Sequence, residues 1–210
     1  MKRNVLIIAC LFIATLSFGE TNGKLLVKKP VYGLLSNGFY VNLGVAFPTF
    51  GILNANSSNF GFEPNLEIGN QWYFTRNEYW GFGLKLSWIQ AGFSSYSVGS
   101  VTPSTNVDLR FLKLAPQFTY LANANMAIDI TFEVSPTLML GGNGNTNPSY
   151  SYTMYGVLFA PGLRFRYKQY AVGGDFGFGS LTYTLDMPGN AISPYSANIV
   201  APRFYLGLQF

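Results

Sequence analysis

Apolar and polar residues alternate with period two along most of this chain. Phe39, Val41, Leu43, Val45 and Phe47 alternate with Tyr40, Asn42, Gly44 and Ala46. Trp80, Phe82, Leu84, Leu86 and Trp88 alternate with Gly81, Gly83, Lys85 and Ser87. Ile128, Ile130, Phe132, Val134, Pro136 and Leu138 alternate with Asp129, Thr131, Glu133, Ser135 and Thr137. Val157, Phe159, Pro161, Leu163 and Phe165 share one parity, Arg164 and Arg166 the other. The last segment puts Pro202, Phe204, Leu206, Leu208 and Phe210 on one face and Arg203, Tyr205, Gly207 and Gln209 on the other. Successive side chains of a strand point to opposite faces, so each run reads as a strand with one apolar face. The pattern predicts eight strands near residues 38–47, 63–74, 79–91, 107–121, 126–140, 153–167, 170–183 and 197–210. Several suit a tilted membrane crossing of ~9–11 residues.

The connections alternate as well. Thr75–Glu78, Ala122–Asn125 and Lys168-Gln169 are short, whereas Pro48–Phe62, Gly92–Asn106, Gly141–Tyr152 and Thr184–Ser196 are longer and rich in Gly, Ser, Asn and Pro. Short periplasmic turns and long external loops are the habit of outer-membrane barrels. Aromatic residues gather at the strand ends: Trp72, Trp80, Tyr120, Tyr167 and Tyr170 at the periplasmic end, Trp88 with Phe47, Tyr152 and Tyr155 at the external one. Trp and Tyr favour a membrane interface because an apolar ring carries a polar handle. The terminal residues Phe204, Leu206, Leu208 and Phe210 read as the lipid face of a closing strand and as its assembly signal. A soluble β-sandwich is the competing reading. It would need a charged, solvent-exposed second face, and the second face here is Gly, Ser, Thr and Asn with sparse charge.

Composition strengthens the membrane reading. Only 10% of residues are charged and 17% are aromatic, with 23 glycines. After the N-terminal stretch no apolar run is long enough for a helical span, and only a closed barrel then satisfies every backbone group in lipid. The N-terminus carries Lys2 and Arg3, an apolar stretch Val5–Phe18, and the small-residue site Ser17-Phe18-Gly19. It reads as a signal peptide over 1–19, cut before Glu20. Cleavage at the lipoprotein-like Ile7-Ile8-Ala9-Cys10 would leave apolar Leu11–Leu16 on the mature end, which disfavours it. Residues 20–37 are expected as a periplasmic N-terminal extension, and 38–210 as one outer-membrane barrel. Loss of Lys2 and Arg3 leaves eleven basic against nine acidic residues, a net charge of +2. That excess, without a basic patch interleaved with aromatics, excludes a nucleic-acid partner.

The inward faces carry the candidate chemistry. Glu63, Glu67, Asp129, Glu133 and Asp175 oppose Lys85, Lys113, Arg164, Arg166 and Arg203. The lumen of an eight-stranded barrel is just wide enough for side chains to fill. Buried charges must be paired, so the ten residues are expected to form a salt-bridge network that plugs the barrel. A polar track for ions or a small solute is the alternative, kept alive by the inward glycines. The chain has no histidine. This excludes Ser-His-Asp and Cys-His catalysis and a histidine metal site. Asp129 and Glu133 lie ~13 Å apart along a strand, too far for a carboxyl dyad. Gly141-Gly142-Asn143-Gly144 lacks the Lys and helix of a phosphate loop. No catalytic, cofactor-binding or metal-binding residue is expected, and no cofactor.

Two irregularities stand out. Val107, Leu109 and Phe111 share one parity and Leu112, Leu114 and Pro116 the other, which predicts a bulge near Phe111-Leu112. Pro64, Pro116, Pro136, Pro161 and Pro202 fall inside strands and predict local bulges of their own.

The signal peptide, the segment Leu112-Lys113-Leu114-Ala115-Pro116-Gln117-Phe118-Thr119-Tyr120 and the terminal strand ending in Phe210 together resemble the small outer-membrane β-barrel domain family of Gram-negative bacteria, a porin-like architecture. The resemblance implies a fold and a location more than an activity. It implies membrane lipids and the barrel-assembly machinery as partners. The functional expectation is a non-enzymatic structural or surface-interaction barrel, with Tyr96, Tyr150, Tyr152 and Tyr195 on the long loops facing a candidate extracellular ligand. The alternative is a narrow solute channel, and a histidine-free lipid-modifying enzyme ranks behind both.

Overall fold

The computed structural model describes residues 32–52, 62–96, 104–143, 150–187, 190–191 and 195–210. The signal peptide, most of the 20–37 segment and the tips of the long loops lie outside these residues. Among the described residues a 3₁₀ turn, Tyr32–Leu35, precedes ten strands: β1 Gly38–Ala46, β2 Thr49–Ile52, β3 Glu63–Arg76, β4 Trp80–Tyr96, β5 Ser104–Asn123, β6 Met126–Asn143, β7 Tyr150–Tyr167, β8 Tyr170–Met187, β9 Asn190–Ala191 and β10 Tyr195–Gln209.

The eight long strands close into an antiparallel ring in the order β1-β3-β4-β5-β6-β7-β8-β10, and β10 returns to β1. Arg203 of β10 is registered against Asp175 of β8 on one side and Ala46 of β1 on the other. The short β2 prolongs β1 on β10, since Thr49 opposite Val200 continues the register of Ala46 opposite Arg203. Phe47-Pro48 interrupts it, leaving one backbone bond from Phe47 N to Pro202 O at 2.9 Å. A closed ring leaves no sheet edge, so a membrane can be crossed with every ladder bond made. Local chemistry sets the tight turns. The Asn77 side chain accepts from the Tyr79 and Trp80 amides at 2.8 and 2.9 Å. Lys168 takes a left-handed φ of 53° in the two-residue turn between β7 and β8.

The eight predicted strands are all present, and the external ends of β4, β5, β6, β7, β8 and β10 run further than expected. β4 reaches Tyr96, and β5 begins at Ser104. The predicted bulge falls at Leu112, whose φ is 50°. Between Arg110 and Leu114 the register of β5 against β6 shifts. β4 shifts beside it, where Ile68 faces Ile89 but Gly69 faces Ser87. As a result, Trp88 and Ile89 both point outward, as do Phe111 and Leu112. A one-residue slip exchanges the faces of a strand. Above the two bulges, Gln90, Gly92 and Ser94 of β4 and Asn106, Asp108 and Arg110 of β5 therefore turn into the lumen.

None of the five prolines carries the extra residue of a bulge itself, although Pro136 lies opposite the β5 bulge, between Thr137 and Val134 where the register to β5 shifts. Pro64, Pro116, Pro136 and Pro202 sit opposite Val45, Leu84, Val157 and Phe176 in uninterrupted register. At Pro161 the ladder to β8 lapses and resumes at Gly162 without a slip. All five rings sit on the outward face. A strand donates each amide to one neighbour only, so a proline costs one bond on one side and leaves the spacing intact.

The outer wall is apolar. Leu43, Phe204, Leu206 and Phe210 are among its most exposed residues, at 65, 62, 68 and 71%. Leu208 belongs to the same face. Phe210 closes the wall twice over: its backbone exchanges bonds with Phe39 at 2.8 and 3.2 Å, and the two rings lie 6.3 Å apart. Tyr120, Tyr167 and Tyr170 are exposed at the end that carries the short turns, where Trp80 stacks on Phe118 at 6.1 Å. Trp72 is half-buried at the same end. Trp88, on the bulge, donates its indole N–H to Asn70 Oδ1 at 2.7 Å.

Candidate functional site in the lumen

The inward residues sort into three tiers along the barrel axis. The middle tier is a closed cluster of three acids and three bases. Glu67 receives Lys85 at 3.4 Å, Lys113 at 3.2 Å and Arg203 at 2.8 Å. Glu133 receives Lys113 at 2.6 Å and Lys85 at 3.1 Å. Asp175 holds Arg203 through Nη2 and, at 2.8 Å, through Nε. Gln90 Oε1 bridges Arg203 and Lys113 at 2.7 and 2.8 Å. Tyr40 Oη and Asn42 Nδ2 each donate to Glu67 at 3.1 Å. Lys85 also lies over the Tyr40 ring, 4.7 Å from its centroid. Opposite charges that share this many partners offset the cost of removing them from water.

The lower tier lies at the turn end. Asp129 takes Arg164 at 2.6 Å and Arg166 at 2.8 Å. Thr119 donates to the same carboxylate at 2.7 Å, and Tyr73 Oη accepts from Gln117 and Arg166 at 2.7 and 2.9 Å. Arg164 reaches Gln71 at 2.8 Å. One acid faces two bases here, and backbone carbonyls supply the balance. Arg166 donates to Leu34 O at 2.6 Å, Arg76 to Leu35 O at 2.8 Å, and Asn37 Oδ1 takes the Tyr73 amide at 2.8 Å. Leu34 and Leu35 are buried with them. The Tyr32–Leu35 turn thus packs onto the lower tier, a placement that the expectation of an N-terminal extension did not anticipate.

The upper tier holds Glu63, Asp108 and Arg110 and has two unlike walls. Arg110 grips Asp108 Oδ2 at 2.6 and 3.0 Å. Glu63 is fully buried, and neither of its carboxylate oxygens has a hydrogen-bond partner. It takes no part in the middle cluster, which corrects its expected place in one continuous network. From Met139, the cross-strand partner of Asp108, the wall continues as an apolar cluster with Tyr152, Met154, Leu158, Leu181, Ile199 and Ala201. Tyr152 was expected on an external loop. It is buried there instead, 5.5 Å from the Tyr183 ring, because β7 begins at Tyr150 and gives Tyr152 the inward parity of Met154 and Leu158. The side chains of Tyr96, Tyr150 and Tyr195 lie outside the described part of the structure.

Around the middle and lower tiers, tyrosines and amides stand over several inward glycines. A Cβ on Gly69 would sit 2.5 Å from Tyr40 Oη, and one on Gly173 would sit 2.7 Å from Tyr205 Oη. Tyr73 lies against both Gly81 and Gly83. Sequence reasoning missed Gln90, Asp108 and Arg110, and the available signal was the parity slip at Phe111-Leu112 carried upward along both bulged strands.

No protein-family model matches the chain, and neither does any curated protein sequence. Solved structures do. Neisserial surface protein A superposes with a TM-score of 0.50 at 12% identity, over 83% of this chain and 99% of that one. The outer membrane protease OmpT of Escherichia coli gives 0.48 at 9% identity, over 89 and 99%. The outer membrane protein OprG of Pseudomonas aeruginosa gives 0.43 at 10% identity, over 82 and 96%. With its closed ring of eight long strands, apolar wall and charged interior, the chain has the fold of the small outer-membrane β-barrels.

Proposed function

We infer that this protein is an integral outer-membrane barrel with a sealed lumen and no enzymatic activity, whose working surface is its long external loops. The observation that carries the reading is the Glu67 cluster: Lys85, Lys113 and Arg203 converge on one carboxylate and are all at most 2% exposed. Charges so placed fix strand register and fill the cross-section. The lower tier supports the same reading, since the turn before β1 lies on its arginines. Absence of histidine from the sequence removes the commonest general base, and Asp129 and Glu133 belong to separate clusters. Export by the signal peptide with cleavage after Gly19, insertion through Phe204, Leu206, Leu208 and Phe210 by the barrel-assembly machinery, and contact with membrane lipids complete the proposal. A cofactor has no place in it.

Planar-bilayer recording of the purified protein tests the seal. The expected result is no steady conductance. Stable, charge-selective channels would overturn the seal and put solute transport in its place. N-terminal sequencing of the mature protein checks the cleavage site, where a lipidated Cys10 would refute export as a soluble-leader precursor.

A further inference from the structure

We propose that the upper tier binds a hard divalent cation, of the calcium type, between Glu63 and Asp108. Three observations converge on this site. First, its charges do not balance: two buried carboxylates, at 0 and 1% exposure, share one guanidinium, and that guanidinium bonds to a single oxygen, Asp108 Oδ2. Glu63 Oε1, Glu63 Oε2 and Asp108 Oδ1 have no partner.

Second, the two carboxylates face each other. Gly92 stands opposite Asp108 across β4 and β5, and the Glu63 carboxyl lies over Gly92, with Oε1 2.6 Å from where a Cβ would sit. The Glu63 and Asp108 carboxyl groups lie within hydrogen-bonding reach of each other there, with Arg110 beside them. A side chain at position 92 would block the approach.

Third, neutral oxygens stand on the same rim. Ser94 and Asn106 form the next inward pair above Gly92 and Asp108. They are 4 and 0% exposed, and Ser94 Oγ and both polar atoms of Asn106 lack partners. Asn106 Oδ1 lies beside Gly141, toward β6. Burying that many polar atoms unpaired is costly, and a cation removes the cost for several at once. Two oxygens of one carboxylate, one of a second and the Ser94 hydroxyl are donors of calcium type, and calcium accepts a bidentate Glu in irregular geometry. Water at the external mouth would complete its 6–8 ligands. Among the described residues no group of three or more His, Cys, Asp or Glu gathers anywhere as a metal centre. This site instead joins two acids to a neutral hydroxyl.

The test uses the full-length folded protein in a zwitterionic, lipid-free detergent, stripped with chelator and titrated with Ca²⁺, with Tb³⁺ as a luminescent probe. One equivalent is expected to bind and to raise the melting temperature. Glu63→Gln should abolish the Ca²⁺-dependent rise while raising the metal-free melting temperature. Asp108→Asn should weaken binding at least about tenfold through loss of a charged ligand. If that variant does not fold, Ser94→Ala, which disturbs no ion pair, should still lower affinity severalfold. Glu78→Gln, on the exposed turn, should leave binding unchanged. No Ca²⁺-dependent shift at millimolar concentration, or a shift that survives Glu63→Gln, overturns the proposal. So does a melting temperature that Glu63 links to pH and not to Ca²⁺, which assigns the site a proton.

Discussion

Glu63 and Glu67 stand four residues apart on the inward face of β3, both fully buried, and the barrel treats them oppositely. Glu67 is the hub of the middle tier, with three cations, a phenol and an amide around it. Glu63 has a glycine beneath it and no hydrogen-bond partner. Burial alone therefore says little about what a charge contributes. Its partners decide, because the cost of desolvation is similar at both sites and the offset is not. The middle of the lumen is built for closure, and the external end retains unspent coordinating capacity.

The sharpest way to break this comparison is to neutralise the hub. Glu67→Gln keeps the shape and leaves Lys85, Lys113 and Arg203 with two carboxylates among them. Removing one member of a buried pair typically costs about 3–5 kcal/mol. A urea titration of the protein in bilayers is expected to show destabilisation of that size, and a loss under about 1 kcal/mol would mean that water screens the cluster.

The comparison also presupposes that inside and outside are assigned correctly. Leu43 lies four residues above the Phe39–Phe210 contact, so about 13 Å into the wall at ~3.3 Å per residue. Leu43→Arg should cost about 2–4 kcal/mol, as for arginine at a bilayer midplane. The same titration reads it, and a neutral outcome would place Leu43 outside the lipid band.

A third contrast concerns the glycines under each tier. Gly173 is closed in by Tyr205 Oη at 2.7 Å and Leu163 O at 2.8 Å, so a methyl group there meets a buried ring and backbone. Gly173→Ala is expected to cost about 1–3 kcal/mol, the usual penalty for overpacking. Gly92→Ala meets Oε1, Cδ and Cγ of Glu63 at 2.6 to 2.9 Å and no backbone, and this side chain can swing aside. It should cost less than about 1 kcal/mol, within the range of a propensity change. Equal losses at the two positions would show that the rim is as tightly built as the middle.

These differences were only partly legible in the sequence. Period-two alternation located all eight long strands, because a wall between lipid and a filled lumen imposes it residue by residue. The ten charges assigned to the inward face are all buried, nine of them bonded within the two lower tiers. Parity could not say which charges meet: Arg203 reaches Asp175 on the adjacent strand β8 but Glu67 on β3, over the intervening β1. It also failed above the bulges, where Trp88-Ile89 and Phe111-Leu112 exchange the faces. Asp108, Arg110 and Gln90 were lost there, and so was the apolar upper wall around Tyr152 and Met154. A register slip is cooperative between neighbouring strands, and a single strand's pattern holds only half of it.

The smallest effect has the most telling sign. Glu63→Gln removes a negative charge that no donor meets, while the carboxamide keeps the volume over Gly92 and gains an N–H that can donate to the unpartnered Asp108 Oδ1. In metal-free detergent the change should stabilise the barrel by about 1 kcal/mol, the worth of one buried hydrogen bond made where none stood. The same Glu-to-Gln exchange four residues along the strand is expected to destabilise it severalfold more. Thermal melting of the two variants beside the unmutated protein measures both signs at once. If Glu63→Gln also lowers the melting temperature, Glu63 is compensated by Arg110 at a distance, and the two tiers differ in degree rather than in kind.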